Sequence, residues 1–396
     1  MAASEPIPPD FPGAIMFDEA EVESVVEVIR AKSPFRYYGP DLRGKVSTFE
    51  KAFAKMVGVP HCLAVSSGTA ALIVGLRALG VGPGDEVIIP ANTFIASAGA
   101  VLMCGAVPVF AEVDESLTLD PDDFETKVTS RTKAVMPVHF GGISCAMDEI
   151  LTVAERHRLG VIEDCAQACG AKYQGRRVGS LGHIGTFSFQ INKLITTGEG
   201  GAVTTSDLRL YERAIRAHDH GALRDPDGRV TFDTTGEAFV GENYRMNELA
   251  GALGLAQLIK LDAIVDRMRQ IKKLIKEGIG ELLHFQYRKV WDEAGDTARR
   301  LVLIAEEAAL AEGLAKKLVG IGFAAEVPYG GRPVYEHPQI KRMRMWYGKE
   351  LAKEEVRCSR TEDLLSRSVM VGLNPKFTPN HVEQLVEAIK RYDRGV

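Results

Sequence analysis

With 396 residues, 48 lysines and arginines against 53 aspartates and glutamates, and a net charge of −5, the chain can bury a large core but carries no basic stripe for nucleic acid or an anionic membrane. Six cysteines (Cys62, Cys104, Cys145, Cys165, Cys169, Cys358) stand without a CxxC pair, which points to reduced intracellular thiols rather than a disulfide frame or a structural zinc site. The opening MAASEPIPPDFPG has no basic start followed by an apolar run, so no secretory signal is read and a cytoplasmic location is expected.

In chain order, Ser47 to Val57 reads as an amphipathic helix and Cys62 to Val65 as a strand, after which Ser66-Ser67-Gly68-Thr69 opens a helix over Ala70 to Leu79. A small polar turn at a helix N-terminus offers unpaired N–H groups and a positive dipole end to a phosphate, although a plain capped helix has the same signature. Val87 to Phe110 is 24 residues without a charge, long enough to span a bilayer. Its prolines, glycines, Asn92 and Thr93 divide it instead into a strand (Glu86 to Ile89), a helix (about Phe94 to Cys104) and a strand (Val107 to Ala111).

Further strands are predicted at Ala134 to Val138, Gly160 to Asp164, Thr186 to Phe189 and Ala202 to Thr205, with helices over Met147 to His157 and Leu208 to His218. This alternation implies an α/β fold, a mainly parallel sheet covered by helices on both faces, with ligands gathered at strand ends that carry Ser67, Phe94, Asp164 and Lys193. Gly221 to Gly241 reads as a mobile surface loop and Asn247 to Arg269 as one long amphipathic helix. Shorter candidates beyond Lys272 (Arg299 to Ile304, Ala308 to Val319, Thr378 to Tyr392) suggest a smaller α+β unit, so the expected division is 1–270, a large domain with an N-terminal arm, and 271–396.

Two motifs mislead. Gly39 to Val46 comes within one residue of a P-loop, but Val46 stands where a hydroxyl must reach magnesium and no strand precedes it. His218-Asp219-His220 has no accompanying His/Cys cluster and reads as a polar helix end; no metal site is expected.

Lys193 lies in a polar loop between two apolar strands, ahead of Gly198-Glu199-Gly200-Gly201, where glycines let backbone approach a bound anion. An amine there becomes a nucleophile if burial or a neighbouring cation depresses its pKa; the plain alternative is a solvated surface lysine. Asp164 ends a buried strand, a costly place for a carboxylate unless a cation such as a protonated pyridine nitrogen meets it, although a strand-end aspartate also caps turns. Gln167 follows one helical turn later.

Ser67-Gly68-Thr69, Glu163-Asp164-Cys165-Ala166-Gln167, Phe187-Ser188-Phe189 with Lys193 beyond it, Gly198-Glu199-Gly200-Gly201 and Asn243-Tyr244-Arg245-Met246 occur in an order that resembles the DegT/DnrJ/EryC1/StrS aminotransferases, from about Phe17 to the C-terminus. The resemblance implies a pyridoxal-phosphate enzyme of fold type I that aminates keto-sugars or cyclitols, with an amino acid, glutamate, as donor. It further implies that Lys193 bonds covalently to pyridoxal phosphate and moves the proton, and that Asp164 pairs with the pyridine nitrogen. Gln167 would meet the ring hydroxyl, Phe94 stack on the ring, and Gly68, Thr69 and Ser188 hold the phosphate. Asn243 would reach across from a second subunit of a homodimer.

Sugar 3-dehydratases of the family have histidine at the lysine position, so Lys193 favours transamination over dehydration, and the presence of Lys193 and Asp164 disfavours a non-catalytic cofactor- or sugar-binding regulator. Phe35-Arg36-Tyr37-Tyr38-Gly39 and the run ending in His220-Gly221 resemble the branch that makes 8-amino-octulosonate from an 8-oxo octulosonate; Arg36, Tyr37 and His220 are the substrate-binding candidates, Arg36 through a bidentate carboxylate contact or, alternatively, as a packed salt bridge. A nucleotide-linked keto-sugar is the other acceptor considered.

Overall fold

A computed structural model describes residues 5–231, 238–347 and 357–395. Seven short apolar strands build the central sheet: β1 (His61–Val65), β2 (Glu86–Pro90), β3 (Val107–Ala111), β4 (Thr132–Val135), β5 (Gly160–Asp164) and, beyond a small ribbon of β6 (Lys172–Tyr173) and β7 (Arg176–Arg177), β8 (Ile184–Ser188) and β9 (Gly201–Thr205). Their order is β1-β9-β8-β5-β4-β2-β3, parallel from β8 to β3, with β9 antiparallel to both of its neighbours. Strands buried along nearly their whole length suit a sheet with both faces covered, which is why they read as apolar runs without alternation.

Helix α1 (Glu19–Arg30) is closed by a capping box on Asp18, and α2 (Lys45–Val57) starts at Gly44 in the left-handed region at φ 63°. Gly44 has no side chain to cap with. Glu248 does it instead, accepting the N–H groups of Lys45 at 2.6 Å and Val46 at 3.0 Å. Lys45 pairs with Glu27 at 2.6 Å and Val46 is fully buried, so the P-loop-like stretch is a helix entry. Phe49 and Phe53, one turn apart on α2, meet Phe187 and Phe189 of the β8 end edge-on, with centroids 4.9–5.4 Å apart. Such pairs add about 0.5–1.5 kcal/mol each beyond area burial. Because successive strand residues face opposite ways, anchoring these two rings turns Ser188 between them to the other face.

The long helix predicted to end at Arg269 continues to Ile279, as α3 (Glu248–Ile279), across position 270/271 where the expected domain division falls. It packs on α1, α2 and the C-terminal helix Pro379–Arg394. Apolar positions such as Ile271, Ile275 and Ile279 keep its inner face buried through the added turns. Between Gly221 and Gly241, where a loop was expected, β10 (Leu223–Arg224) pairs with β11 (Val230–Thr231); residues 232–237 of that stretch lie outside the described residues. A second, antiparallel sheet has the order β12-β13-β15-β14, from β12 (Phe285–Tyr287), β13 (Arg300–Ala305), β14 (Ala325–Glu326) and β15 (Ser368–Gly372). No helix among the described residues is long and apolar enough to cross a membrane.

Candidate active site

The carboxyl ends of β5 and β8 and the turns after β1 and β2 converge on a cleft of about 490 Å³. Gly68, Thr69, Phe94, Asp164, Gln167, Ser188 and Lys193 all line it, so seven of the predicted site residues meet in one place. Strand ends are where a parallel sheet gathers ligand groups, since helices cover both faces but leave this edge open.

Ser67 caps the helix Gly68–Ala78 by accepting the Ala70 N–H at 3.1 Å, while the first-turn N–H groups of Gly68 and Thr69 have no partner within the helix. Ser188 packs directly on this turn: a Cβ on Gly68 would stand 2.6 Å from the Ser188 Cβ and 2.9 Å from its hydroxyl. Only glycine keeps this corner open, and the result is a cradle of N–H and O–H donors at a positive helix end that fits a phosphate group. The Gly198 to Gly201 run has another use. A Cβ on Gly201 would meet the Ser67 carbonyl oxygen at 2.3 Å, so this glycine lets chain pack on chain; of the four residues, Glu199 lines the cleft.

Lys193 is held by a short, internally bonded loop: its N–H donates to the Gln190 carbonyl at 2.9 Å and its carbonyl accepts the Gly13 N–H at 3.1 Å. Burial lowers the Lys193 amine from its ordinary 10.5 to about 8; Arg299 and Arg300 push in the same direction and Asp164 opposes them. Asp164, 5 % exposed, has its carboxyl raised by burial despite hydrogen bonds from the Ala166 N–H (3.1 Å) and the Ser97 hydroxyl (2.9 Å). A buried carboxylate facing a cleft fits a cationic ring nitrogen. Gln167 is fixed between the Gly141 N–H (3.2 Å) and the Tyr329 hydroxyl (3.0 Å), and Phe94, 57 % exposed, ends the strand-to-helix turn ahead of Ile95–Met103. These residues fit pyridoxal phosphate at both of its ends.

The other predicted residues lie elsewhere. Arg36 donates to Glu50 at 2.5 Å and to the Ala64 carbonyl at 2.8 Å, away from the cleft of its own chain. Tyr37 meets His218 Nε2 through its hydroxyl at 3.1 Å, beneath the Arg224 guanidinium. His220 is exposed at a positive φ of 57°, and Asn243 bridges to Asp219 outside the cleft lining. Asp219, in turn, pairs with Arg224 and Arg245, so the His218 to His220 run is a helix end held by arginines. On the opposite face of β5, Glu163 accepts from His139 and from the N–H groups of Gly179, Leu181 and Gly182, and it forms with Cys165 a buried trio of potential metal ligands whose carboxylate oxygens are already engaged.

Sequence reading missed Ser97, Arg299, Arg300 and Tyr329. Ser97 sits one turn into an apolar helix, and the last three come from the second sheet and its turns. An arginine pair heading the buried strand RLVLIA was the one available signal.

A sequence model of the DegT/DnrJ/EryC1/StrS aminotransferase family matches residues 17–390. The spore coat polysaccharide biosynthesis protein SpsC of Bacillus subtilis is 34 % identical over 388 residues, 96 % of each chain, and a GDP-perosamine synthase of Escherichia coli O157:H7 is 36 % identical over 88 % of this chain and 90 % of its own. A GDP-perosamine synthase of Caulobacter vibrioides is 51 % identical over 217 residues, 54 % of this chain and 56 % of that one. Among solved structures, 3-amino-5-hydroxybenzoic acid synthase superposes with a TM-score of 0.85 at 31 % identity, covering 98 % of this chain and 100 % of its own. The chain belongs to the DegT/DnrJ/EryC1/StrS aminotransferase family, and pyridoxal phosphate is its cofactor.

Proposed function

We propose that the chain moves an amino group from an amino acid, glutamate, to the carbonyl carbon of a nucleotide-linked keto-sugar. The observation that carries the reading is the pairing of an amine lowered to about 8 at Lys193 with a buried carboxylate at Asp164 in one cleft. When bound there, pyridoxal phosphate supplies an electron sink for the bond broken at the donor α-carbon. Lys193 would hold the cofactor and, once freed, move the proton taken from the donor α-carbon, its Nζ acting first as base and then as acid. Asp164 keeps the ring nitrogen protonated, Gln167 orients the ring, Phe94 stacks on it, and Gly68, Thr69 and Ser188 bind the phosphate. A second subunit adds Asn243 in a homodimer, and the chain divides near 270 into a large cofactor-carrying part and a smaller C-terminal one.

The names of the GDP-perosamine synthases support a nucleotide-linked acceptor. The 8-oxo octulosonate acceptor is read from the resemblance of the Phe35 to Gly39 segment and the run ending in His220-Gly221; its candidate carboxylate partner, Arg36, is engaged with Glu50. The deciding experiment loads the protein with the amino form of the cofactor and mixes it with nucleotide-linked oxo-sugars and octulosonates. Return of the near-visible band with a nucleotide-linked oxo-sugar is the expected outcome. Return with an octulosonate alone overturns the acceptor, and return with neither overturns the sugar reading.

A further inference from the structure

Residues 9–13 of the N-terminal arm are tied down on both sides: the Asn374 side-chain amide donates to the Pro9 carbonyl at 2.7 Å, and the Gly13 N–H donates to the Lys193 carbonyl at 3.1 Å. Between these ties the Asp10 carboxylate reaches the two arginines of the cleft wall, with Oδ1 2.7 Å from Arg299 Nη1 and Oδ2 2.7 Å from Arg300 Nη1. Gly372 makes room for the trio, since a Cβ there would stand 2.4 Å from Arg300 Nη1 and 2.8 Å from Asp10 Oδ1.

The pairing is incomplete. Two guanidinium groups share one carboxylate, and Glu326, which also acts on Arg299, lines the cleft. Asp10 Oδ1 accepts no hydrogen bond although Arg299 is close, so that contact is a charge contact without aligned donors. An aligned Arg–carboxylate pair is the stronger arrangement. The Asp10 side chain is also 23 % exposed, and water can take it up on release.

We propose that Asp10 is an internal counter-carboxylate, which holds the Arg299–Arg300 pair and yields it to the carboxylate of an incoming ligand. The inference rests on the reading of an amino-acid donor, whose α-carboxylate is one source of that group; a sugar acid is the other. A residue that merely staples the arm would affect stability alone.

The test is calorimetric titration of succinate, an unreactive carboxylate, into the full cofactor-loaded protein and its Asp10→Asn, Asp10→Glu and Arg300→Gln variants, with melting temperatures recorded. Asp10→Asn is expected to tighten succinate by about 5–10-fold, Asp10→Glu to restore the native value, and Arg300→Gln to abolish binding. Half-reactions run separately with the amino acid and with the sugar assign the ligand: KM falls in the arm whose substrate brings the carboxylate, with a smaller change in kcat. Unchanged or weaker succinate binding in Asp10→Asn, or no change of KM in either arm, overturns the proposal. Succinate binding does not depend on the sugar's identity, so the aminotransferase reading stands or falls separately.

Discussion

Gln167 donates a 3.0 Å hydrogen bond from its side-chain amide to the hydroxyl of Tyr329, a residue 162 positions away that lies in a turn beside the second sheet. Tyr329 holds this place at a positive φ of 51°, and burial raises its phenol, so it meets Gln167 as a neutral hydroxyl. Tyr329→Phe leaves one Gln167 donor unpaired in the cleft wall. The expected result is a loss of about 1–3 kcal/mol, read by denaturant unfolding, together with weaker cofactor retention on dialysis.

In the proposed role, the Lys193 amine must be neutral to attack the cofactor carbonyl. An amine near 8 is half neutral at pH 8, whereas an ordinary lysine at 10.5 is neutral in only about one molecule in 300 at that pH. The rate of cofactor uptake by the cofactor-free protein should therefore rise through pH 8 and level off above about pH 9. A rise that continues to pH 10 would show the amine to be unperturbed. Lys193→Ala should lose the near-visible band and all transfer activity.

Asp164 sets function against stability. Its folded pKa is raised by burial, so its stabilising contribution is present below the ordinary value of 3.8 and is lost as pH rises through the raised one. Burial makes ionising this carboxyl costly in the cofactor-free chain. Asp164→Asn, whose amide can keep both the Ala166 and Ser97 contacts, should raise the melting temperature of the cofactor-free protein at pH 7, with the gain vanishing toward pH 4. If Asp164 has its proposed role, the same variant should lower transfer by about 10²–10⁴-fold, because the charge it would set against the ring nitrogen is gone.

Arg36 and Glu50 are both buried, and Glu50 also accepts the Ala64 N–H at 2.6 Å. Arg36→Met leaves a buried carboxylate without its cation and should cost about 3–5 kcal/mol. Adding Glu50→Gln should recover much of it, with KM for the sugar unchanged in the double variant. A rise in that KM with little loss of stability would return Arg36 to the substrate site.

The sequence by itself determined the strand–helix order and the residues at the strand ends. Both are local: an apolar run of strand length states its own burial, and Ser67, Asp164 and Ser188 sit at fixed offsets from such runs. Lys193 followed because its loop joins two adjacent strands. Helix ends were legible to within a turn where a cap or glycine marked them, but α3 ran ten residues beyond its predicted end, since its continuing apolar face is satisfied by a C-terminal helix about a hundred residues later. Only the tertiary structure decided which polar side chains already had partners. The sequence left Arg36 open between a substrate carboxylate and a packed salt bridge until Glu50 came against it, and Arg299, Arg300 and Tyr329 looked unrelated to Lys193 until the second sheet docked beside its loop. Charge pairing acts through space at a few ångströms, and neither Glu50 nor Asp10 stands beside its arginine in the chain.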